Sequence, residues 1–198
     1  MAHSTGGLIT PLYLDSKKDN LPVDGLILNS PFLDWNFGWF MEKVAIPAVA
    51  FIGRFLPNLT VQGYGIASYA HSLLKQFKGE WEYDTNWKMI NGHPKKAGWI
   101  KAIQEGQRKV RKGLHLDCPV LVMSSDKSYP ETKEWHNEYL SSDIVLDVHD
   151  IQKYAPKLGE YVTRDTIPNG IHDLILSEKE SRDHTYRTVF DWMNRKGF

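Results

Sequence analysis

Three short runs rich in apolar and β-branched residues constrain the fold of this chain more than any other feature. They are PVDGLILNSP at 22–31, CPVLVMSS at 118–125 and EYVTRDTIP at 160–168. A strand that is apolar along its whole length is typical of a parallel sheet buried on both faces. Because helical segments separate the three runs, the pattern predicts an α/β fold, a mostly parallel sheet with helices on both faces.

The helices and a long insertion complete the predicted organisation. Helices are predicted over 5–15, 96–113, 147–158 and 178–195. The stretch 36–94 has no strand signal but shows helical pieces near 39–55 and 66–77. Structureless loops of this length are uncommon, so the stretch is interpreted as a helical cap or lid. The predicted division is therefore a core of 1–35 and 95–198 with the cap 36–94 inserted.

Composition argues against several classes of partner. Lys plus Arg and Asp plus Glu number 24 each, so no net charge would hold nucleic acid or an anionic membrane. The basic run at 95–113 is typical of the solvent face of a helix. The longest apolar stretch, 44–56, is too short to span a bilayer. A single cysteine, Cys118, excludes an intrachain disulfide, and without a recognisable secretion signal the expected location is cytoplasmic.

The segment AHSTG at 2–6 has the small-x-Ser-x-small pattern of a nucleophile elbow, with alanine at the first small position. Such a strand-to-helix turn demands small residues on both sides of the serine, because larger side chains would collide across it. The turn would raise the Ser4 hydroxyl above the sheet and aim the Thr5 amide at a developing oxyanion. Ser4 is therefore the candidate nucleophile and Thr5 a candidate oxyanion-hole donor.

A nucleophilic serine needs a histidine base, and His172 has the best setting for it. It lies in a Pro/Gly turn just after the third predicted strand, at the carboxyl edge of the sheet where active sites of such folds gather. The remaining histidines match no metal motif, so neither a metal nor a cofactor is expected. His3 is predicted to point away from the base, yet it remains a candidate for shaping the site.

Two aspartates compete for the role of the acid. Asp126 directly follows the second predicted strand, whereas Asp143 follows about fifteen residues later. Asp143 stands 29 residues before His172, enough for one helix and one strand. Asp126 stands 46 residues before it, which forces an extra excursion of the chain. This spacing favours Asp143 and keeps Asp126 as the alternative, while Asp173 is expected to be structural.

Together these motifs resemble the α/β-hydrolase superfamily, in particular its serine aminopeptidase (S33)-like branch with monoacylglycerol lipases and lysophospholipase-like esterases. AHSTGG at 2–7 is similar to the GHSxGG of that branch, and LILNSPFLD at 26–34 to its following strand and loop. SDIVLDV at 142–148 resembles the segment of the acid, and GIHDLILSE at 170–178 that of the histidine. The resemblance runs through the whole chain. It implies the α/β-hydrolase fold and a Ser4, His172 and Asp143 triad.

The sheet of that superfamily begins well before its elbow, whereas here the strand leading to Ser4 is reduced to Met1 and Ala2. The N-terminal strands are therefore expected to be missing. Loss of these strands would expose an edge of the sheet, which a complementing N-terminal half or a second copy in a homodimer could cover.

The function that the resemblance implies is hydrolysis of carboxylic esters, with a small-molecule ester or a lipid as substrate. His3, Phe32, Trp39 and Phe40 are the candidate substrate-binding residues. A peptidase or an acyltransferase would use the same triad. A different class of function is also open, a catalytically incompetent fragment or interaction module of a split or truncated hydrolase.

Overall fold

Four parallel strands form the main sheet of the computed structural model, which describes residues 1–17 and 21–198. The strands are β1 Ala2–His3, β2 Leu26–Asn29, β5 Val120–Ser125 and β6 Val162–Ile167. The order across the sheet is β1-β2-β5-β6, and every neighbouring pair is parallel. The last three strands lie within the three runs from which the sheet was predicted.

Helices cover both faces of this sheet. They are α1 Gly6–Lys17, α2 Ile46–Ile52, α3 Ser68–Leu73, α4 Ala97–Lys112, α5 Val148–Tyr154 and α6 Lys179–Lys196. Alternate residues of β5 face different cores: Val122 belongs to the cluster that takes in α1, α4 and α5, and Met123 to the cluster of Trp192 from α6. The predicted α/β fold is thus confirmed. Among the described helices, none has the length and apolar character needed to cross a bilayer.

The segment 36–94 contributes no strand to the main sheet. A π-helical turn, Met41–Ala45, runs into α2, and α3 follows, so both predicted helical pieces are present but shorter than expected. The sequence did not predict the small antiparallel pair of β3 Thr60–Gln62 with β4 Lys95–Lys96. Side chains in these short strands are mostly polar and exposed, which explains the missing signal.

Close backbone contacts hold this segment on the core helix α4. A side chain at Gly53, just after α2, would bring its Cβ to 2.4 Å from the Ala97 carbonyl oxygen. A side chain at Gly98 would come within 2.9 Å of Pro57. Glycine at both positions therefore allows the insertion to lie directly on the start of α4.

Candidate active site

Ser4 occupies a strained turn between β1 and α1. Its φ of 51° lies in the left-handed region, which is unfavourable for any residue with a Cβ. Its amide donates to the Asn29 carbonyl at 3.1 Å, and its carbonyl accepts from the amides of Gly7 and Phe32 at 2.9 and 3.0 Å. These three bonds tie the turn to the end of β2 and to α1, so the surrounding structure sustains the strain.

Small residues surround this turn as the elbow pattern requires. The glycine with the closest neighbour, however, is Gly7, one position after the Gly6 of the predicted pattern. A Cβ on Gly6 would lie 3.9 Å from the Cβ of Ala2, which is ordinary contact. A Cβ on Gly7 would lie 2.7 Å from the Cβ of Pro31, which is a clash. Gly7 therefore allows α1 to begin directly against the loop after β2.

The structure brings Ser4, His172 and Asp143 into one chain of hydrogen bonds. Ser4 Oγ lies 2.9 Å from His172 Nε2, and His172 Nδ1 lies 2.9 Å from Asp143 Oδ2. A carboxylate only accepts hydrogen bonds, so Nδ1 carries the ring proton and Nε2 accepts from the serine hydroxyl. His172 is 3% exposed and Asp143 is fully buried.

The second oxygen of the Asp143 carboxylate is held by the backbone. Asp143 Oδ1 accepts from the amides of Val145 and Leu146, both at 2.8 Å. The Asp143 amide in turn donates to the Lys127 carbonyl at 3.0 Å. These bonds hold the buried charge and leave Oδ2 directed at the imidazole.

Asp126, the alternative acid, has a different contact. It is exposed, and its Oδ1 accepts from the Asn169 amide at 2.9 Å in the turn after β6. Asn169 has a φ of 54°, so the carboxylate braces a left-handed residue in the loop that leads to His172. Asp126 therefore supports the histidine loop, while Asp143 contacts the ring.

The sequence did not predict the side-chain hydrogen bonds that Asn29 makes at the end of β2. Asn29 is buried, donates to Asp173 Oδ1 at 2.7 Å and accepts from the Leu174 amide at 3.2 Å. Both bonds hold the segment just after His172 to the central part of the sheet. The sequence signal that could have revealed this role is the polar Asn29 at the end of an apolar strand, at the sheet edge where the site forms.

His3 lies against His172, contrary to the prediction that it points away from the base. The two ring centroids are 4.8 Å apart, and His3 Nε2 donates to the His172 carbonyl at 3.3 Å. Its other nitrogen lies 3.8 Å from Asp173 Oδ2. Burial, and next the nearby charge of His172, lower the pKa of His3 to about 4, despite the opposing effect of Asp173. His3 is therefore neutral at physiological pH.

This low pKa predicts that stability falls on acidification from about pH 6.5 to about pH 4. In that window the unfolded chain binds a proton at His3 and the folded chain does not. The His3→Gln variant, which keeps a hydrogen-bond donor, should lose about 1 to 3 kcal/mol of this pH dependence in denaturant unfolding. His115→Gln, at an exposed loop position, is the control, and equal pH slopes for His3→Gln and wild type would contradict the prediction.

The segment 36–94 contributes two side chains near this site that the sequence did not reveal. The Tyr69 ring, on α3, meets the His172 ring edge-on with a centroid distance of 5.6 Å. The Lys88 ammonium lies 5.1 Å from the centre of the Tyr69 ring. Neither residue belongs to a periodic pattern, and their approach to His172 depends on how the segment 36–94 folds.

The other predicted site residues have varied positions. Thr5 follows Ser4 directly, and its amide has no backbone acceptor in residues 1–17 and 21–198. Phe32 is buried, with its ring edge-on to Trp35. Trp39 and Phe40 are 71% and 64% exposed, just before the π-helical turn that runs into α2. A role for these aromatic residues in substrate binding stays a prediction.

Known structures share this fold. A soluble variant of monoglyceride lipase from Saccharomyces cerevisiae, solved with a substrate analogue, matches 98% of the chain with a TM-score of 0.66 and 16% identity. The monoacylglycerol lipase of Paleococcus ferrophilus matches 98% with a TM-score of 0.65 and 15% identity. A thermophilic esterase from Thermogutta terrifontis matches 99% with a TM-score of 0.54 and 14% identity. The chain spans 63%, 67% and 64% of these three proteins, respectively.

Sequence comparison assigns the family. A comparison with curated proteins finds no significant match. The model of the family described as serine aminopeptidase, S33, matches residues 1–180, which is most of the chain. With the fold of the lipases and esterases above, this match establishes that the chain belongs to the serine aminopeptidase S33 family of the α/β-hydrolase superfamily.

Proposed function

We propose that this hydrolase cleaves carboxylic esters through Ser4, His172 and Asp143. The observation that carries the proposal is the continuous chain of two 2.9 Å hydrogen bonds from the buried Asp143 carboxylate through His172 to the Ser4 hydroxyl. A serine hydroxyl is a weak nucleophile until an adjacent base accepts its proton, and His172 Nε2 is in place to do so.

Acylation begins when Ser4 Oγ attacks the ester carbonyl carbon while His172 Nε2 takes the hydroxyl proton. The Thr5 amide, at the start of α1, donates to the oxyanion of the tetrahedral intermediate. Collapse of this intermediate breaks the bond to the leaving oxygen, and His172 returns the proton to the departing alcohol. Water, deprotonated by the same imidazole, then attacks the acyl-enzyme and releases the acid and the free serine.

Asp143 acts through His172 and makes no contact with the substrate. Its Oδ2 accepts from Nδ1, which holds the imidazole in the tautomer with a free Nε2 and stabilises the imidazolium formed during attack. The two backbone amides on Oδ1 keep the carboxylate from rotating out of this position.

A small-molecule ester or a lipid is the proposed substrate class. Support comes from the similar structures, which are monoglyceride lipases and an esterase. The apolar side chains of the cap, Trp39 and Phe40 among them, are suited to an acyl chain. The family description names an aminopeptidase, and peptide cleavage or acyl transfer would begin with the same attack by Ser4.

Covalent labelling by a fluorophosphonate tests the proposal directly. We expect one equivalent of probe on the intact protein, located at Ser4 by peptide mass spectrometry, because only an activated serine attacks the phosphorus at a useful rate. Ser4→Ala and heat-denatured protein are the controls. A folded protein that leaves Ser4 unlabelled would contradict the hydrolase and favour the non-catalytic interaction module.

A further inference from the structure

One side chain with a hydrogen-bond donor, from the segment 36–94, contacts the proposed base, and a second contacts the first. Tyr69 packs its ring on His172, and Lys88 places its ammonium above the same tyrosine. The ammonium also lies 5.4 Å from the centre of the Tyr83 ring. Together, Tyr69 and Lys88 form what we call the donor pair.

The Tyr69 hydroxyl is buried. The Asp173 amide faces its oxygen, and the hydroxyl proton has no acceptor among the residues that the structure describes. Burial, followed by the negative charges of Asp173 and Asp143, raises the pKa of Tyr69 well above its usual range. The hydroxyl thus stays protonated and can donate, and a buried donor without an acceptor is costly unless a ligand supplies one.

Lys88 brings an ammonium group close to Tyr69. Within the described part of the chain its ammonium forms no ion pair, and the two tyrosine rings are its close neighbours. Burial lowers the pKa of Lys88, and the nearby carboxylate of Asp173 opposes this shift. The carboxylate of Asp173 accepts from Asn29 through Oδ1, and its Oδ2 lies 3.8 Å from a nitrogen of His3.

The fold holds the donor pair in place from two sides. The segment between Asp126 and Asp143 packs on the start of α3, where Ser68 Oγ donates to the Thr132 carbonyl at 3.3 Å. The Glu131 carboxylate from the same excursion faces the first amides of α3, including that of Tyr69. The extra residues that separate the two candidate acids thus help to fix Tyr69 above His172.

The cap segment that leads to Lys88 is anchored on the histidine loop. Trp81 Nε1 donates to the Leu176 carbonyl at 2.8 Å, and the Arg182 guanidinium lies 4.9 Å from the Trp81 ring centre. Glu80 forms an ion pair with Arg182 at 3.5 Å. The donor pair and His172 are therefore parts of one connected arrangement.

An ammonium and a protonated phenol that contact each other suit an anionic ligand group. The proposed reaction places the leaving oxygen of an ester next to His172, because this ring must return the proton to it. We propose that Tyr69 and Lys88 bind a phosphate or carboxylate carried by the alcohol part of the ester substrate. This inference rests on the proposed function and narrows its substrate class to anionic esters.

Three esters with the same butyryl group and a similar three-carbon alcohol test the inference. They are 1-butyryl glycerol, its 3-phosphate and the butyrate ester of the primary hydroxyl of glyceric acid. With the intact protein we expect kcat/KM to be about tenfold or more higher for at least one anionic ester than for the neutral one. The ratio between the two anionic esters distinguishes a phosphate from a carboxylate.

Charge reversal at Lys88 should remove this preference. Lys88→Glu is expected to lower kcat/KM for the preferred anionic ester about tenfold or more and to change the neutral ester less than about threefold. Lys88→Gln should have a smaller effect in the same direction. Tyr69→Phe, which keeps the ring on His172, should lower kcat/KM for the anionic ester more than for the neutral ester.

A second lysine–tyrosine pair provides the matched control. The Lys17 ammonium lies 5.0 Å from the Tyr13 ring centre, near the end of α1 remote from Ser4. Lys17→Glu and Tyr13→Phe should leave all three rates unchanged. Equal rates for neutral and anionic esters, or equal losses on all three in Lys88→Glu, would overturn the inference alone. Failure to hydrolyse any of them, with Ser4 unlabelled, would overturn the proposed function as well.

Discussion

Ser4→Ala should reduce ester hydrolysis by about 10⁴-fold or more, because Ser4 is the one hydroxyl, among the residues that the structure describes, within hydrogen-bond distance of His172 Nε2. His172 and Asp143 would remain paired but would have no hydroxyl to activate. The residual rate over water would come from binding and from the Thr5 amide. Steady-state kinetics on a butyrate ester, with the same protein preparation checked by circular dichroism, measures the loss. Retention of more than a few per cent of the rate would exclude Ser4 as the nucleophile.

At the same position, glycine should give a more stable protein than alanine. The φ of 51° at Ser4 is unfavourable for serine and alanine but not for glycine. Ser4→Gly should therefore have a free energy of unfolding about 1 kcal/mol higher than Ser4→Ala, although both are inactive. Denaturant titration of the two variants side by side tests this. An equal or lower stability of Ser4→Gly would show that the turn is not strained.

The strands and the elbow could be predicted because their signals are local. The apolar run around β5 lies between turn-forming residues, and its burial on both faces follows from that pattern alone. The small residues around Ser4 indicate a tight turn in the same way. The position of His172 could be predicted because the carboxyl ends of parallel strands share one edge of the sheet.

The neighbours of His172 could not be predicted, because their positions depend on long-range packing. Tyr69 and Lys88 come from the segment 36–94, whose path has no periodic signal, and Asn29 donates to Asp173 across 144 residues of sequence. His3 was placed wrongly because strand alternation gives the side of the sheet and not the approach of the histidine loop. Spacing favoured Asp143, but the bonds that orient its carboxylate come from the turn of Val145 and Leu146.

Asp143→Asn should lower kcat by about 10³- to 10⁴-fold with little change in structure, because the new amide reverses the tautomer of His172. The oxygen of this amide would still accept from the backbone amides of Val145 and Leu146, which directs its NH₂ group at His172 Nδ1. Nδ1 must then accept, so the ring proton moves to Nε2. An imidazole protonated at Nε2 cannot take the proton of Ser4.

The matched variant Asp126→Asn tests which of the two aspartates is the acid of the triad. Its amide oxygen can still accept from the Asn169 amide, so the turn before His172 keeps its support and kcat should change less than about threefold. Stopped-flow acylation and steady-state rates on both variants give the comparison. A loss in Asp126→Asn as large as that in Asp143→Asn would mean that bracing the histidine loop matters as much as contact with the ring. A loss in Asp126→Asn alone would transfer the role of the acid to Asp126, against the 2.9 Å contact between Asp143 and His172.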